Sequence, residues 1–461
     1  MQLKDFFKSS LEHVIFEGID LNENQDYSID SRTIVPGQIF VAIKGNNVDG
    51  HDYINEVLKK GATGFIISKD KSQILDKIDS SIKSKLFIAI VDDPQNSLIQ
   101  LAKNWRKKFN LPIIGITGSI GKTSTKELIC NIFTQANKKY LSSYGNQNTA
   151  IGISLNILKL RNFHEVAIFE MGISKRGEMA KMTDIVKPTI GIITYVGHSH
   201  MSGLGNVDDI ANEKKDIFKY FKDDNIGIIN GDQPVIASIS YRHPTIKFGS
   251  KTINQIQARK IKINHESIDF DLKLYNKKYN VNLKTNHTGR VYQSLAAISV
   301  GHILSVDTPT ILKAIEMPIT IDGRFNKKSL KDQKGYIIDD SYNASPESMK
   351  AAIFAFDKLE SKGKKIAILG DMLELGHNSA FWHRQLGRLL KKAPTISHVI
   401  FVGEMVKLSS KTLPENIKAE YVGNWSQALE LLKQKIEPEV LVLVKGSRSI
   451  QLNKIVENIS Q

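Results

Sequence analysis

The chain has 461 residues and a formal net charge of +15. This length provides for two or three domains with substantial cores. A single cysteine, Cys130, excludes an intrachain disulfide, and the sequence has neither an 18-residue apolar run nor the long apolar core of a signal peptide at its start. We therefore expect a cytoplasmic protein without stable membrane insertion.

The excess of lysine does not indicate nucleic-acid binding. The lysines are scattered through segments that we interpret as helices and loops, such as "SKGKKIA" and "KKYNVNLK", and they are not interleaved with aromatic residues in one patch. We interpret most of this charge as a solvated surface. The remaining positive charge would suit the binding of a nucleotide-linked, polyanionic substrate.

Residues 1–92 are predicted to form a small N-terminal α/β domain. Short strands are expected at "QIFVAI", "GFIIS" and "LFIAIV", with a helix near residues 53–60. The block ends at the turn-rich string "DDPQN".

Residues 93–324 are predicted to form a doubly wound parallel sheet. The apolar strings "PIIGIT", "EVAIFEMG", "TIGIITYVG" and "NIGIIN" alternate with helical patterns, and each ends in polar or glycine residues. In such sheets, ligands bind beyond the carboxyl ends of the strands. Residues 325–461 repeat the alternation and predict a smaller Rossmann-like domain.

The string "GITGSIGKTSTKELI" predicts a phosphate-binding loop between a buried strand and a helix. Glycines allow backbone N–H groups to surround phosphate oxygens, and the helix N-terminus adds its positive dipole end. An ordinary glycine turn is the alternative. The spacing T-G-x-x-G-K-T differs from the usual P-loop and indicates a narrower class of nucleotide enzymes; the candidate ATP-binding residues here are Thr117, Gly118, Ser119, Ile120, Gly121, Lys122, Thr123 and Ser124.

Three further segments in the central block carry candidate ligands, two at strand ends and one on a probable helix. Glu170 in "IFEMG" is the expected Mg²⁺ ligand beside a phosphate loop, although a turn-capping glutamate is the alternative. His198 and His200 could ligate a metal, but a histidine in a loop is more often only solvated. Lys214 in "ANEKKDIF" is most simply interpreted as part of a surface ion-pair face.

Charged residues also occur at the edge between the second and third blocks and at the strand ends of the third block. Arg324 in "IDGRFN" could reach a γ-phosphate across a cleft. Asp339 and Asp340 in "IIDDSYNASPESM" could bind metal, accept from a ribose or cap the next helix. The string "LVLVKGSRS" offers an electropositive niche for a carboxylate or simply solvent-facing charge.

Together, these strings resemble the Mur ligase family over essentially the full chain. The resemblance also includes "DSRTIVPGQIFVAIKG", "GNQNTAIGISLNIL", "DDSYNASPESM" and "ILGDMLELG". It implies an ATP-dependent, ADP-forming amide ligase that works through an acyl phosphate. "DDSYNASP" and "GDMLELG" indicate the branch that adds D-alanyl-D-alanine to UDP-N-acetylmuramoyl-tripeptide in peptidoglycan synthesis.

The resemblance also assigns residues. ATP phosphates would bind the loop, Lys122 and Arg324 would offset the charge of transfer, and one Mg²⁺ would be held by Thr123 and Glu170. A second Mg²⁺ would be held by Glu170, His200 and a carbamylated Lys214. The residues expected to be catalytic are Lys122, His200, Lys214 and Arg324. Nucleotide contacts are expected from Asp340 and Asn343. Substrate contacts are expected from Ser31, Arg32, Asp49, His51, Asn146, Asn148, Thr149, Lys445, Ser447 and Arg448.

The N-terminal domain would then bind the uridine diphosphate end, and the C-terminal domain would close over ATP and bind the dipeptide. We expect a monomer. The chain departs from the family pattern at "GRVYQSLAA", where Arg290 and Gln293 stand in place of asparagines that contact adenine. It departs again at "GISKRGEM", with Ser174, Lys175 and Arg176 in place of an Asn-His-Pro type string.

Two rival interpretations remain at this stage besides another subtype of the family. A folylpolyglutamate-synthase-like ligase would share the T-G-x-x-G-K-T loop but would not be expected to carry "DSRTIVPGQIFVA". A non-catalytic nucleotide switch would need only the loop. Dependence of ADP release on the second substrate separates these possibilities.

Overall fold

The computed structural model describes Phe6 and residues 15–18, 25–331 and 335–460, which form three sheets. We predict that the start of the chain is not a signal peptide. Most of that segment lies outside the described residues. Within the described residues, no helix is both long enough and apolar enough to cross a membrane.

The first sheet has the strand order β1-β5-β4-β3-β2. Strands β2 to β5 are parallel, and β1 runs antiparallel to β5. The apolar strings that predicted β3, β4 and β5 are buried along their whole length, as expected for strands covered on both faces. The elements are β1 (Ile15–Gly18), β2 (Tyr27–Ser28), β3 (Ile39–Val41), α1 (Ile54–Lys59), β4 (Gly64–Ser68), α2 (Ser80–Lys83) and β5 (Phe87–Val91).

The second sheet has nine strands in the order β14-β13-β12-β11-β10-β9-β6-β8-β7. Its elements are α3 (Pro94–Arg106), β6 (Ile113–Thr117), α4 (Lys122–Gln135), β7 (Tyr140–Ser142), α5 (Ala150–Ile157), β8 (Val166–Glu170), α6 (Glu178–Val186), β9 (Ile190–Ile193), α7 (Met201–Leu204), α8 (Val207–Lys215), β10 (Ile226–Asn230), α9 (Pro234–Ala237), β11 (Thr245–Gly249), β12 (Ile256–Ile263), β13 (Ile268–Leu274), β14 (Lys277–Leu283), α10 (Gly289–Ile303) and α11 (Thr308–Glu316).

The predicted parallel core of this sheet is confirmed, since β6 to β12 pair in parallel wherever they are neighbours. The sheet does not end there. Strands β13 and β14 extend it as antiparallel neighbours of β12. Interpreting "KKYNVNLK" as helix or loop was therefore wrong, because Lys277–Leu283 is an edge strand that begins with two exposed lysines.

Helices cover both faces of the central sheet. On one face, α4 buries Leu128, Ile132 and Phe133 completely, and each such side chain stabilises the fold by about 1.5–3 kcal/mol. The same face receives α10 and α11. Helices α5 and α6 pack on the other face together with α3. This double covering leaves the carboxyl ends of β6, β8 and β9 as the edge from which loops can reach a ligand.

The third sheet has the order β15-β16-β20-β17-β18-β19 and is parallel except for β15. This agrees with the predicted Rossmann-like unit. Its elements are β15 (Asn326–Ser329), β16 (Gly335–Asp339), α12 (Pro346–Lys358), β17 (Lys365–Gly370), α13 (Ser379–Leu390), β18 (His398–Val402), β19 (Lys418–Val422), α14 (Trp425–Lys433), β20 (Val440–Lys445) and α15 (Asn453–Ile459).

Candidate active site

The predicted phosphate loop joins the buried strand β6 to helix α4. Gly121 has left-handed backbone angles (φ 85°), and a Cβ at Gly118 would overlap the Thr194 hydroxyl, so both positions favour glycine. Thr194 Oγ1 also donates to the Ile120 carbonyl at 2.6 Å. The loop is thus held by the end of β9 while the N-terminus of α4 points toward it, which is an anion-binding arrangement.

Lys122 lies within this loop and turns back on it. Its Nζ donates to the Gly118 carbonyl at 2.7 Å. Burial lowers the pKa of Lys122, and nearby Arg324 lowers it further, while Glu170 acts in the opposite direction. A bound polyphosphate would relieve the mutual repulsion of these cations.

Glu170 is 3% exposed at the end of β8 and is held from three sides. Its Oε2 accepts from Thr123 Oγ1 at 2.9 Å, and its Oε1 accepts from Asn148 Nδ2 at 3.2 Å. Its backbone N–H donates to Ser143 Oγ at 3.0 Å. A carboxylate and a hydroxyl side by side at a phosphate loop are the hard oxygen donors that Mg²⁺ prefers.

Lys214 does not lie on a surface ion-pair face. It is 1% exposed, so the bland interpretation of "ANEKKDIF" was wrong for this residue. Burial lowers its pKa well below the ordinary value, and the positive charge of Lys122 adds to the effect. Among the described residues its amine makes neither a hydrogen bond nor an ion pair, whereas the next residue, Lys215, is only partly buried.

His200 occupies a strained position beside the third sheet. Its backbone is left-handed (φ 61°), and its Nδ1 lies 2.5 Å from Glu374 Oε2. His198 pairs in a similar way, with Nδ1 2.6 Å from Glu347 Oε1 and its ring against Trp382. The loop after β9 therefore contacts the third sheet's domain, and neither histidine is merely solvated.

Arg324 lies where the second and third blocks meet. Its guanidinium carbon is 4.1 Å from the centre of the Tyr342 ring, a cation–π contact that orients the side chain. It lines two cavities, one of about 110 Å³ and one of about 610 Å³, that share the phosphate loop. Its predicted reach to a γ-phosphate across a cleft stays a prediction.

The smaller cavity contains the predicted nucleotide contacts of the third block. Asp340 Oδ2 lies 2.7 Å from Lys445 Nζ, which also donates to the Asn343 carbonyl at 3.0 Å. Lys445 is 1% exposed and its pKa is lowered by burial, so it is not a solvent-facing charge. Asp339 instead organises its own turn, accepting from Ser341 Oγ at 2.6 Å.

The larger cavity brings together Lys122, Glu170, His200, Arg324 and Asn343. Lys214 is not among its lining residues. Asn148 and Thr149 line it as well, and Thr149 also caps α5 by accepting from the Gly152 N–H at 3.4 Å. Across the described residues, no group of three or more His, Cys, Asp or Glu side chains is placed to hold a metal ion.

The first sheet's candidate residues line neither cavity. His51 is 5% exposed, with Nδ1 2.6 Å from Asp49 Oδ1 and Nε2 accepting from the Ser68 N–H at 3.0 Å. Arg32 is exposed and pairs with Asp30 at 2.7 Å. The Ser31 carbonyl accepts from Lys60 Nζ at 2.7 Å. Roles in binding the uridine diphosphate end stay predictions.

Three other predicted contacts lie outside the shared cavities. The Asn146 carbonyl accepts from the Asn148 N–H at 2.8 Å in the turn before α5. Ser447 Oγ accepts from the Leu373 N–H at 2.9 Å, and Arg448 is exposed. The divergent loop at Ser174 is organised by Glu178, whose Oε2 accepts from the Ser174 N–H at 2.7 Å and also from the Lys175 N–H. In the same loop, Arg176 pairs with Asp209 at 3.2 Å.

Sequence reasoning missed several residues that line the cavities. His287 and Phe325 form a ring pair with centroids 5.1 Å apart in the smaller cavity, and Gln95 and Lys181 border the larger one. The position of His287 in the sequence, just before the divergent string "GRVYQ", could have indicated it as a cavity residue. Lys181 carries no such signal, because its place depends on how α6 packs.

A phosphate loop, an oxygen-donor pair and an arginine at the junction of two domains define the class: a nucleotide-dependent enzyme built on three α/β domains. Sequence comparison agrees. The chain matches "Mur ligase family, catalytic domain" at residues 25–106, "Mur ligase middle domain" at residues 116–301, and "Mur ligase, glutamate ligase domain" at residues 323–448.

Individual relatives agree along nearly the whole chain. The UDP-N-acetylmuramoyl-tripeptide–D-alanyl-D-alanine ligase of Rickettsia prowazekii is 30% identical, covering 96% of each protein. The crystal structure of MurF from Acinetobacter baumannii superposes with a TM-score of 0.82 at 25% identity, covering 99% of this chain and 97% of that one. The MurF ligase of Thermotoga maritima, solved in complex with ADP, gives 0.78 at 26% identity, covering 94% and 97%. The chain belongs to the Mur ligase family.

Proposed function

We propose that the chain is an ATP-dependent, ADP-forming ligase that joins D-alanyl-D-alanine to UDP-N-acetylmuramoyl-tripeptide, producing the pentapeptide precursor of peptidoglycan. The observation that carries this proposal is the shared cavity, where the phosphate loop and Glu170 meet Arg324 and Asn343. A nucleotide switch has no use for such convergence from two domains. The similarity to named D-alanyl-D-alanine ligases over more than nine-tenths of both chains favours this substrate pair over folate.

The first chemical step is phosphoryl transfer. An oxygen of the tripeptide's terminal carboxylate attacks the γ-phosphorus of ATP, the bond to the β-phosphate bridging oxygen breaks, and ADP leaves with that electron pair. Lys122 and Arg324 are the groups that offset negative charge on the transferring phosphoryl group. Both side chains line the larger cavity together with the phosphate loop, which supports this pairing.

The second step forms the amide. The amine of D-alanyl-D-alanine attacks the acyl carbon, giving a tetrahedral intermediate that collapses with loss of inorganic phosphate, and the amine gives up a proton. The incoming dipeptide is bound from the third domain in this proposal. Lys445 is already paired with Asp340, so Arg448, which is exposed, is the more available cation for the dipeptide carboxylate.

The donors around Glu170 fit a magnesium ion. Thr123 Oγ1 and Glu170 Oε2 are adjacent hard oxygens, and Asn148 fixes the other carboxylate oxygen. A bound Mg²⁺ would neutralise phosphate charge next to Lys122. We propose Thr123 and Glu170 as its protein ligands.

Lys214 fits a metal only after modification, because a protonated amine cannot ligate a cation. Carbamylation balances as attack of a neutral amine on CO₂, which forms an N–C bond and releases one proton, leaving an anionic carboxylate. The buried amine with its lowered pKa and no partner among the described residues supports this chemistry. A carbamylated Lys214 with Glu170 and His200 is our proposal for the second Mg²⁺.

The carbamate can be tested without measuring turnover. Protein equilibrated with ¹³C-bicarbonate should show a carbamate carbon resonance that is lost in Lys214→Ala and kept in Lys215→Ala. The neighbouring lysine is a matched control because it is only partly buried and its Nζ faces the Tyr241 ring at 5.9 Å. A resonance that persists in Lys214→Ala would contradict the assignment.

The three-domain division at residues 1–92, 93–324 and 325–461 is part of the same proposal, with the first domain taking the uridine diphosphate end. The three sheets, with strands falling inside those limits, support it. The cytoplasm is the expected compartment, where precursor and ATP would both be present.

A coupled ADP-release assay tests the function as a whole. ADP should appear only when ATP, UDP-N-acetylmuramoyl-tripeptide and D-alanyl-D-alanine are all present. Folate with glutamate should give none. ADP release without any acceptor, or with folate and glutamate, would refute the proposal. Tripeptides ending in meso-diaminopimelate or in lysine should both be supplied.

A further inference from the structure

Helix α12 of the third domain ends in contact with the central domain. The last four carbonyl groups of a helix have no hydrogen-bond partner within the helix. Two of these carbonyls in α12 are satisfied inside the third domain, by the Leu359 N–H at 3.2 Å and by Lys365 Nζ at 2.6 Å. The other two, those of Ala355 and Lys358, are satisfied by side chains of the central domain.

Those two side chains lie beside the antiparallel strands that extend the central sheet. Asn286, in the connection after β14, donates from Nδ2 to the Ala355 carbonyl at 2.8 Å. His265, in the turn between β12 and β13, has Nδ1 2.9 Å from the Lys358 carbonyl oxygen and Nε2 3.2 Å from Glu360. Asn286 is 2% exposed, whereas the His265 and Glu360 side chains are exposed, so Asn286 makes the stronger contact.

The opposite end of α12 also touches the central domain. Glu347 in its first turn accepts from the His198 N–H at 3.1 Å, and close by the Glu374 carbonyl accepts from the Ser202 N–H at 3.2 Å. Ser345, which caps this end, lines the smaller cavity together with the phosphate loop. The 13 residues of α12 span about 20 Å, so the helix links the two sets of contacts as one rigid element.

We propose that Asn286 is a positioning residue: by capping the far end of α12 it holds the third domain docked and so fixes the first turn of that helix beside the phosphate loop. Its effect on turnover rests on the proposed ligase function. Without this amide the buried Ala355 carbonyl loses its donor, and the docked arrangement is destabilised relative to one in which the helix end meets water. The antiparallel extension of the central sheet thereby helps to assemble a site that two domains share.

Amide hydrogen exchange in the substrate-free protein tests this proposal at the end of α12 remote from Asn286. The His198 and Ser202 amides donate across the domain boundary, so their exchange reports undocking. In Asn286→Ala both should exchange about tenfold faster, the effect expected when one buried acceptor is left unpaired. The Met171 amide donates to Ile116 within the central sheet at 2.8 Å and should keep its rate.

Two variants separate docking from the loss of a buried amide in general. Asn286→Asp keeps the shape of the side chain but replaces its donor with an oxygen, so it should speed the same two amides at least as much as Asn286→Ala. Asn254 is also buried, at 3% exposed, but its Nδ2 donates to Asp232 Oδ1 at 2.8 Å inside the central domain. Asn254→Ala should therefore leave the exchange of His198 and Ser202 unchanged.

Two results would overturn the proposal. Unchanged exchange of His198 and Ser202 in Asn286→Ala would show that the cap acts only locally, and equal acceleration of Met171 would show that it stabilises the whole fold. If the Asn286 variants do not fold, His265→Ala decides the question. It removes an exposed side chain and should speed the two amides by about twofold to threefold, and an unchanged rate would refute the docking role.

Turnover separates this proposal from the ligase assignment. Asn286→Ala should lower kcat for ADP release by about tenfold, while UDP-tripeptide binding, measured by calorimetry, should change by less than about twofold, because the first domain is proposed to hold its nucleotide end. Full kcat together with faster exchange would contradict the positioning role. If ADP release never depends on D-alanyl-D-alanine, the ligase function fails, whereas exchange of the two amides still decides whether Asn286 docks the third domain.

Discussion

Replacing Lys214 with methionine should stabilise the protein while removing its activity. Methionine has a similar length and no charge, so it fills the same buried space without a group that needs a partner. Lys214 is 1% exposed and its amine has no hydrogen bond or ion pair among the described residues. Burial lowers the pKa of this amine, and taking such a polar group out of water costs about 1–3 kcal/mol, so the free energy of unfolding of Lys214→Met should rise by about that amount.

Two other lysines provide matched comparisons. Lys126 is 4% exposed but is satisfied, donating to the Ser143 carbonyl at 3.0 Å and lying 2.8 Å from Glu127. Lys126→Met should therefore lower the free energy of unfolding by about 0.5–1.5 kcal/mol. Lys215→Met, at a partly buried position, should change it by less than about 0.5 kcal/mol.

Urea unfolding in metal-free, CO₂-depleted buffer measures all three variants under conditions where Lys214 is an unmodified amine. ADP release, measured separately with Mg²⁺ and bicarbonate, should be lost in Lys214→Met alone. A Lys214→Met protein that unfolds more readily than wild type would refute the view that burying this amine destabilises the fold. Retained turnover would refute its role as a metal ligand.

Three further predictions follow from the site and its surroundings. Lys122→Ala should lower kcat by about 10²–10³, because one preorganised charge donor is lost, while calorimetry should show near-normal binding of UDP-tripeptide; near-normal turnover would argue against the phosphate loop. Burial lowers the pKa of His287 from 6.5 to about 4. As the pH falls, the unfolded state therefore binds a proton before the folded state does. The free energy of unfolding is thus lowered progressively between pH 6.5 and pH 4. His287→Gln should therefore make urea midpoints fall less steeply across that window, and an unchanged slope would contradict the assignment. Burial raises the pKa of the Cys130 thiol to about 12, so a thiol reagent should label native protein at pH 8 only as fast as it unfolds, and rapid labelling would contradict this.

Much of the fold could be predicted because the central parallel strands, such as β6, β8 and β9, are continuous apolar runs that end in polar or glycine residues. The extension at β13 was missed, although "IDFDLKL" alternates and its side chains are buried at every second position. Lysines in the neighbouring string "KKYNVNLK" suggested a loop, yet an edge strand tolerates them on its open side. The lysine-rich composition gave a wrong prediction here, because the register of β13 with β12 decides which side chains are exposed.

The residues of the candidate site also divide into those that a local motif predicts and those that depend on packing between distant segments. Local motifs predicted Gly118, Lys122 and Thr123, because a phosphate loop is encoded within one short segment. The pairing of His198 with Glu347 joins residues 149 positions apart and depends on how two domains pack. The burial of Lys214 also escaped reasoning from the residues, since the packing of α8 determines whether a lysine in such a charged string faces water.

The contact between His198 and Trp382 gives this protein an optical reporter. The chain has three tryptophans: Trp105 is in the first helix of the central block, Trp425 begins α14, and Trp382 lies with its ring 4.6 Å from the imidazole of His198. Among the ring contacts of the described residues, this last indole alone faces a residue from the loop after β9. Any relative motion of the second and third domains changes its distance from a potential quencher. Trp382 emission, with Trp105 and Trp425 replaced by phenylalanine, can therefore follow domain movement in real time without an added dye.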